Sequence, residues 1–587
     1  MKKIIPFLCL LAVTLQAQVV NLPYNSTVLP MNGDVAVVDI NNDGLLDFVF
    51  SCGSQWEKPA TNFSGRYINN GNKAFTLQPE TKIVPGANAS IHYGDVDGNG
   101  EIDAIFSGII DGSGEVSTES QGIVYNIAGE NRYSFTPTQR VSGFADFNND
   151  ALQDYFCIGK FNGMYYNTGK GKFELDTQFP YVNYSYGGPE AISLDWDNDG
   201  DMDIFITSWE VGLSAGYRSL ILRNDGNFTF TEIDLGVIAI GAGSVDFADV
   251  NNDGYLDILL GGQNAIGNEE MYTAFLYLSD GKGGVNLADQ NFKPYYSWSI
   301  GDAFKFADWN NDGNYDVIIS GTTGLAMKLD IYLNNGNGTS FTLAPESSSM
   351  PGISNGSIEV ADFNNDGKID IIATGLQSGN AKVVSAIFNE TTNTNLRPLP
   401  PTNLSTTQTT NKTLFTWNAG SDDKTSVKAL SYSLYLKNKT TGYWYSNPMA
   451  FIGGTNDGVR KVTGLGNASI SKTWYFNDLP DGEYEWSVQS IDASYLGSPF
   501  APMQTLKIGV SGVESHMVLN KVQVTNTGIR IDTYGNQGKL VVCNIAGQQI
   551  YNNELINGIN DFNLDKGIYI LNLTSDGITE NKKVIIK

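Results

Sequence analysis

The chain has 587 residues, 41% hydrophobic and 11% aromatic, which excludes a disordered chain and leaves room for several domains. Its 36 Lys and Arg against 63 Asp and Glu give a net charge of −27, which disfavours a nucleic-acid partner, because phosphate contacts need clustered cations. Only His92 and His516 are present, so His-based zinc sites and Ser-His-Asp triads are nearly excluded by inventory.

Residues 1–17 read as a secretory signal peptide. Lys2 and Lys3 form a charged start, Ile4 to Val13 a short apolar core, and Leu15-Gln16-Ala17 a small-residue cleavage site before Gln18. No other apolar run is long enough to span a bilayer, so no transmembrane segment is expected. Cys9 leaves with the signal. Cys52, Cys157 and Cys543 are far apart and odd in number, which is not a disulfide framework and suits small buried hydrophobes.

From residue 18 to 390 one nine-residue phrase recurs seven times, with starts 49 to 59 residues apart. The copies are DINNDGLLD (39–47), DVDGNGEID (95–103), DFNNDALQD (146–154), DWDNDGDMD (195–203), DVNNDGYLD (249–257), DWNNDGNYD (308–316) and DFNNDGKID (362–370), called loops 1 to 7 below. Runs rich in β-branched and aromatic residues flank each copy, such as Val35–Val38 before loop 1 and Ile258–Leu260 after loop 5. A second strand pair follows, joined by an Asn/Gly turn, as in YINNGNKAF (67–75) and YLNNGNGTSF (332–341). Each unit therefore reads strand, acidic loop, strand, variable loop, strand, turn, strand, the content of a propeller blade. The seventh unit ends at Ile387-Phe388-Asn389 without its fourth strand, while Val19 to Pro23 is a spare strand ahead of the first unit. The expectation is a seven-bladed β-propeller whose N-terminal strand completes the last blade and closes the ring.

Within each loop, oxygen-bearing side chains stand at positions 1, 3, 5 and 9. They are Asp39, Asn41, Asp43 and Asp47 in loop 1; Asp95, Asp97, Asn99 and Asp103 in loop 2; Asp146, Asn148, Asp150 and Asp154 in loop 3. Loop 4 supplies Asp195, Asp197, Asp199 and Asp203, and loop 5 Asp249, Asn251, Asp253 and Asp257. Loop 6 has Asp308, Asn310, Asp312 and Asp316, and loop 7 Asp362, Asn364, Asp366 and Asp370. Alternate positions on a tight loop turn inward, a backbone carbonyl near position 7 adds an oxygen, and glycine at position 6 permits the reversal. Ca²⁺ takes six to eight oxygens at flexible geometry, so up to seven structural Ca²⁺ sites are expected; Mg²⁺, with its strict octahedron, fits less well. Ala151 replaces the glycine in loop 3 and makes that site the weakest. Twenty-two of the 63 acids stand at these positions, and such packed like charge repels without a cation. The competing reading is a metal-free Asx-turn hairpin, in which Asp and Asn only cap the backbone. At an extracellular-type affinity of ~10⁻⁴–10⁻³ M, ~1 mM Ca²⁺ adds roughly 0.4–1.4 kcal/mol per site.

The phrase D-x-[DN]-x-D-G-x-x-D between strands resembles the FG-GAP/VCBS repeat family, which includes the integrin α-subunit propellers. The resemblance covers roughly residues 19–390 and implies a propeller, not a ligand. Aromatic blade-to-blade connections supply candidate ligand platforms: Tyr181, Tyr184 and Tyr186 in one, Tyr295, Tyr296 and Trp298 in another, with Trp56 and Trp209 expected on the same face. Trp196 and Trp309, inside the acidic phrase, read as blade-packing residues. No catalytic residue is assigned. The functional expectation is a secreted or cell-surface protein binding an extracellular glycan or protein, with a polysaccharide-degrading lyase or glycosidase as the alternative.

Residues 391–400 form a Pro-rich linker read as stiff. Residues 401–510 resemble a fibronectin type III domain, with Trp417 as core tryptophan and Leu479, Gly482 and Tyr484 as a tyrosine-corner-like turn, a module used for spacing or adhesion. Residues 515–587 resemble the C-terminal sorting domain of type IX secretion in Bacteroidetes, carried by GKLVVCNIAGQQIY (538–551), LDKGIYIL (564–571) and the Lys-rich final strand. That implies export by the Sec route, passage through the type IX machinery, and a place at the cell surface or in the medium. The fold class expected is all-β: a seven-bladed propeller followed by two small β-sandwiches.

Overall fold

The β-branched and aromatic runs on either side of each acidic phrase pair as antiparallel strands, with the phrase as their connection. In the first unit Asp34–Val38 pairs with Asp47–Cys52, then Phe63–Asn69, then Phe75–Pro79. The computed structural model describes residues 17–586 except 24–32, 53–62, 80–86, 110–118, 128–131, 136–138, 160–162, 177–178, 180–189, 210–216, 227–228, 267–268, 289–291, 293–303, 324–325, 380, 410, 510–520, 526, 533–537, 557–558 and 576–577. The signal peptide, apart from Ala17, lies outside these residues, as do Trp56, Tyr181, Tyr184, Tyr186, Tyr295, Tyr296 and Trp298.

Among the described residues, seven four-stranded antiparallel sheets follow one another along 17–389, one per acidic loop. The strands that open consecutive sheets touch in order: Asp34–Val38, Ala87–Gly94, Gln139–Ala145, Glu190–Leu194, Ile240–Ala248, Phe304–Ala307 and Ile358–Ala361. The seventh also touches the first, so the order is cyclic and propeller-like. The fourth strand of sheet 7 is Ala17–Asn21, which pairs antiparallel with Ala381–Asn389 from Ala17 opposite Asn389 to Asn21 opposite Ser385. The N-terminal strand thus covers the edge of the last sheet, as the missing strand of that unit required.

Burial explains the strand composition. The first two strands of sheet 1 are buried along their whole length, because neighbouring sheets cover both faces, and they read as continuous apolar runs. The fourth strands Phe173–Leu175 and Val285–Leu287 are largely exposed. Aromatic side chains fill the seams. Phe48 stacks on Tyr67 with centroids 4.4 Å apart and meets Phe363 of loop 7 edge-on at 6.4 Å, which seals the closure between sheets 7 and 1. Trp196 and Trp309 are buried in seam clusters, as their packing reading requires, and Trp309 Nε1 donates to Glu346 Oε1 at 2.7 Å. Cys52, Cys157 and Cys543 are free thiols.

Residues 402–508 form two facing sheets of seven strands. One has Lys412–Asn418 between Thr402–Gln408 and Thr473–Asn477; the other has the order Trp444–Ser446, Ser431–Asn438, Gly482–Ile491, Gln504–Ile508. Trp417 and Trp486 are buried between them, against Tyr432 and Phe415. Apart from Pro480–Glu483 and the end of its last strand from Lys507, this sandwich belongs to the same compact unit as the ring.

A second compact unit holds the C-terminal strands from Lys521 onward, in a three-stranded sheet and a four-stranded sheet that ends on Ile578–Ile586. Ile529, Ile531, Leu540, Leu571, Leu573 and Ile586 are among its core side chains. Tyr569 is buried, and its hydroxyl donates to the Asp565 carbonyl at 3.0 Å.

Candidate metal centres

Six of the acidic loops share one full hydrogen-bond scheme, and loop 4 keeps its Asp195 and Asp199 bonds, because short Asp and Asn side chains readily bond the backbone a few residues on. In loop 1 the position-1 carboxylate of Asp39 accepts the N–H of Asp43 at 3.1 Å and of Gly44 at 2.9 Å. Asn41 Oδ1 also accepts from Asp43 N, and Asp43 Oδ1 accepts from Leu45 N. The same bonds recur in loop 5 through Asp249, Asn251 and Asp253, in loop 6 through Asp308, Asn310 and Asp312, and in loop 7 through Asp362, Asn364 and Asp366. Loop 2 repeats it with Asp95, Asp97 and Asn99, and loop 3 with Asp146, Asn148 and Asp150.

The position-9 aspartate does different work. Asp47 Oδ2 accepts the N–H of Ile40 and Oδ1 that of Asn69 on the third strand, at 2.9 and 2.7 Å. Asp103, Asp154, Asp203, Asp257, Asp316 and Asp370 repeat both contacts, the second to Asn126, Asn167, Asn224, Ser279, Asn334 and Asn389. Each acidic loop is thereby tied to the third strand of its own sheet.

Position 6 adopts the left-handed backbone its glycine was expected to supply, with φ of +86° at Gly44 and +90° at Gly313, and Ala151 takes +67° in loop 3. Position 4 is also left-handed, a feature the sequence reading passed over. Asn42, Asn149, Asn198, Asn252, Asn311 and Asn365 stand there, with Gly98 in loop 2. Several of these amides reach the next loop round the ring: Asn149 Nδ2 to Gly200 O, Asn311 to Gly367 O and Asn365 to Gly44 O, at 3.0–3.2 Å. In the opposite sense, the asparagine ending the third strand donates to the position-2 carbonyl of the preceding loop. Asn69 reaches Phe363, Asn167 Val96, Asn224 Phe147, Asn334 Val250 and Asn389 Trp309, at 2.6–2.8 Å. The sequence signal was the asparagine just before each Asn/Gly turn, read only as part of the turn.

The donor set can hold a metal. Among the described residues, carboxylate oxygens of Asp95, Asp97 and Asp103 lie within 4.8 Å of one another, as do those of Asp195, Asp197 and Asp203. The carboxylates that accept backbone N–H bonds keep further lone pairs, so the Asx-turn scheme and cation binding are compatible. Burial pushes the carboxyls up: Asp95, Asp249 and Asp362 to about 6, Asp47 and Asp308 to about 7, and Asp103, Asp195, Asp203 and Asp257 to about 8. Neighbouring aspartates push the same way, and a bound cation would favour the ionised carboxylates instead.

The loop face is covered by the sandwich, a contact that the spacing or adhesion role expected of residues 401–510 did not include. Lys461 O accepts from Asp39 N in loop 1, and Trp444 N donates to Gly98 O in loop 2, where Asn447 Nδ2 also donates to Asp95 Oδ2 at 2.9 Å. Asn477 N donates to Asn149 O in loop 3, Tyr475 OH bonds Asp201 in loop 4, and Lys428 Nζ reaches Asp253 O in loop 5. Asp308 N of loop 6 donates to Ala493 O. The linker is pinned as well: Asn393 Nδ2 donates to Asn310 O, and Asn395 Nδ2 to Asp492 Oδ2 at 2.8 Å.

Comparison with known proteins finds two family models that match the chain. The FG-GAP-like repeat family matches residues 39–106, 146–206, 195–260 and 308–373, and the secretion system C-terminal sorting domain matches residues 520–587. A phosphatidylinositol-glycan-specific phospholipase D of Dictyostelium discoideum is 26% identical over 182 residues, 25% of this chain and 19% of that protein, so the chain spans about a fifth of that relative's length. Among solved structures, a rhamnogalacturonan lyase of Bacillus licheniformis is similar at 12% identity and a TM-score of 0.35, covering 64% of this chain and 76% of the lyase. PorZ, a surface component of the type IX secretion system of Porphyromonas gingivalis, is similar at 10% identity and a TM-score of 0.29, covering 93% and 69%. Among the described residues no helix is long and apolar enough to cross a membrane. On its motifs and both family matches, the chain carries FG-GAP-like repeats and ends in a type IX secretion sorting domain that directs it to the cell surface or the medium.

Proposed function

We propose that this protein is an exported recognition protein, a calcium-stabilised repeat body that binds an extracellular glycan or protein. The repeats and the sorting tail support the exported location. The observation that carries the calcium half is the gathering of three carboxylates at positions 1, 3 and 9 of loops 2 and 4. An all-oxygen donor set on a flexible loop suits Ca²⁺ over Mg²⁺, which needs a near-ideal octahedron and keeps several waters. The role is structural, because the same donor types recur at positions 1, 3, 5 and 9 of all seven loops, from Asp39 to Asp370, and no single pair is set apart as acid/base work demands. Residues 18–390 form the recognition body. Residues 401–510, on the fibronectin type III resemblance of Trp417, Leu479, Gly482 and Tyr484, brace it, and residues 515–587 address it to the type IX machinery.

Calorimetry of the mature chain tests the metal: millimolar Ca²⁺ raises the melting temperature over EGTA, and millimolar Mg²⁺ raises it less. Equal melting temperatures in all three defeat the calcium reading. A glycan array probed with and without Ca²⁺ tests the ligand half, with calcium-dependent binding expected.

A further inference from the structure

One buried charge of the sandwich has no part in the sites above. Arg460 is 7% exposed, and among the described residues no carboxylate pairs with it. A buried guanidinium needs acceptors for its five donors. It finds them in the carbonyls of Val462, Gly464 and Leu465, 3.2–3.4 Å from Nε and Nη2, and in Ser433 Oγ, 2.9 Å from Nη1. The chain from 460 to 465 is thereby wrapped round its own arginine and pinned to the sandwich strand Ser431–Asn438.

What this segment touches is spread round the ring. Val462 makes an antiparallel bridge to Val38, the last residue of the opening strand of sheet 1. Thr463 Oγ1 donates to the Val360 carbonyl in the opening strand of sheet 7 at 2.8 Å. Leu465 packs on the cluster that fills the seam between sheets 4 and 5, to which Leu194 and Phe247 belong. From the same sandwich, Tyr495 OH donates to the Phe306 carbonyl in the opening strand of sheet 6 at 2.7 Å. Sheets 4 and 5 lie opposite sheet 1 in the cyclic order, and three residues of chain span at most about 10 Å. Contacts to both sides within that reach place Val462–Leu465 across the axis, where the loop-side ends of the opening strands converge.

We propose that Arg460 and Val462–Leu465 form an axial latch, a conformational device by which the docked sandwich locks the ring closed. In the cyclic order each opening strand packs on its neighbours, so a tie across the axis joins sheets that share no seam. Arg460 is a positioning residue: its side chain makes no hydrogen bond to the ring, and it shapes the segment that holds the ring. Lifting the sandwich would release all these opening strands together.

The test is hydrogen exchange by mass spectrometry on the mature chain in calcium. Arg460→Leu keeps apolar volume and removes the donors. Exchange in 34–38, 190–194, 240–248 and 358–361 is expected to quicken together by roughly tenfold, the weight of a hydrogen bond to a charged group. Tyr475→Phe removes a sandwich contact to Asp201 in loop 4 and is expected to quicken exchange in that loop alone. The converse variant pairs Val38→Cys with Val462→Cys, whose bridged backbones are close enough for a disulfide. Its oxidation is expected to slow exchange in the same four strands relative to the reduced form, an arm that decides the matter even where Arg460→Leu does not fold. The proposal is overturned if Arg460→Leu folds and exchanges like the parent in those strands, if Tyr475→Phe quickens them equally, or if oxidation slows exchange only beside Val38.

Discussion

At the residue scale, the asparagines that join one sheet to the next are as informative as the aspartates. Asn389 donates its backbone N–H to Asp370 Oδ1 and its side-chain amide to the buried Trp309 carbonyl, and Asn69 does the same with Asp47 and Phe363 across the ring closure. Replacing Asn389 by alanine strands a buried carbonyl, a loss of about 1–3 kcal/mol. Asn389→Ala and Asn69→Ala are therefore expected to lower the melting temperature by a few degrees each. Asn70→Ala, one residue away with an exposed amide on Ile68 O and Thr76 Oγ1, is expected to leave it unchanged. Thermal melts of the three variants check this; equal effects would mean the sheet-to-sheet bond carries no special weight. Only half of this role could be read from the sequence. Asn-Gly dipeptides announce a turn through their backbone preference, whereas a side-chain bond to another sheet depends on a neighbour 71 to 294 positions away, as for Asn167 and Asn69.

At the scale of the loop and the strand, the sequence was far more explicit. The period, the flanking β-branched runs and the oxygen side chains at alternate positions are local, and local patterns survive folding. The pairing of Ala17–Asn21 with Ala381–Asn389 was legible for a topological reason: one unit lacked a strand and one strand lacked a unit. Deleting residues 18–22 would uncover that edge and remove the buried Leu22 from the core, at a cost of roughly 3–5 kcal/mol. A lower melting temperature and concentration-dependent association by light scattering are expected; a monomer of unchanged stability would contradict ring closure. The loops also set a pH dependence. Metal-free, Asp47, Asp103, Asp203 and Asp257 have carboxyls raised by burial to between about 7 and about 8, against 3.8 for an ordinary aspartate. Between those values the metal-free fold holds protons that the unfolded chain has released. Its stability is therefore greatest on the acid side and falls as pH rises through 7 to 8. Calcium needs the ionised form and shows the opposite trend. The difference in melting temperature between calcium and EGTA is thus expected to widen from pH 6 to pH 8.5, and a gap that narrows over that span would remove these carboxylates from the metal's ligands.

At the scale of the whole molecule, the acidic loops and the sandwich meet in a way the linear sequence concealed. Pro398, Pro400 and Pro401 suggested a stiff spacer, yet Asn393 and Asn395 tie the linker to loop 6 and to Asp492. The contacts that dock the sandwich are scattered over loops 1 to 6, mostly through main-chain groups, so no run of residues advertises them. Tyr475, Asn477, Trp444 and Asn447 became legible only once the ring had placed its loops on one face. Docking and the proposed metal sites then share parts. Asn447 donates to Asp95, a position-1 carboxylate, and Trp444 N–H to the carbonyl of Gly98 in the same loop. Anything that reshapes loop 2 moves the surface on which residues 443–447 rest, so calcium is expected to hold the sandwich against the ring. Two measurements on the mature chain examine this. Small-angle scattering should give a larger radius of gyration in EGTA than in calcium at a temperature well below melting, and proteinase K should cleave within 391–400 faster in EGTA. Asn447→Leu removes a sandwich contact while leaving every loop aspartate in place, and it should reproduce part of both effects in the presence of calcium. If EGTA alters neither size nor cleavage while still lowering the melting temperature, the metal stabilises the ring alone and the sandwich is held by its main-chain contacts.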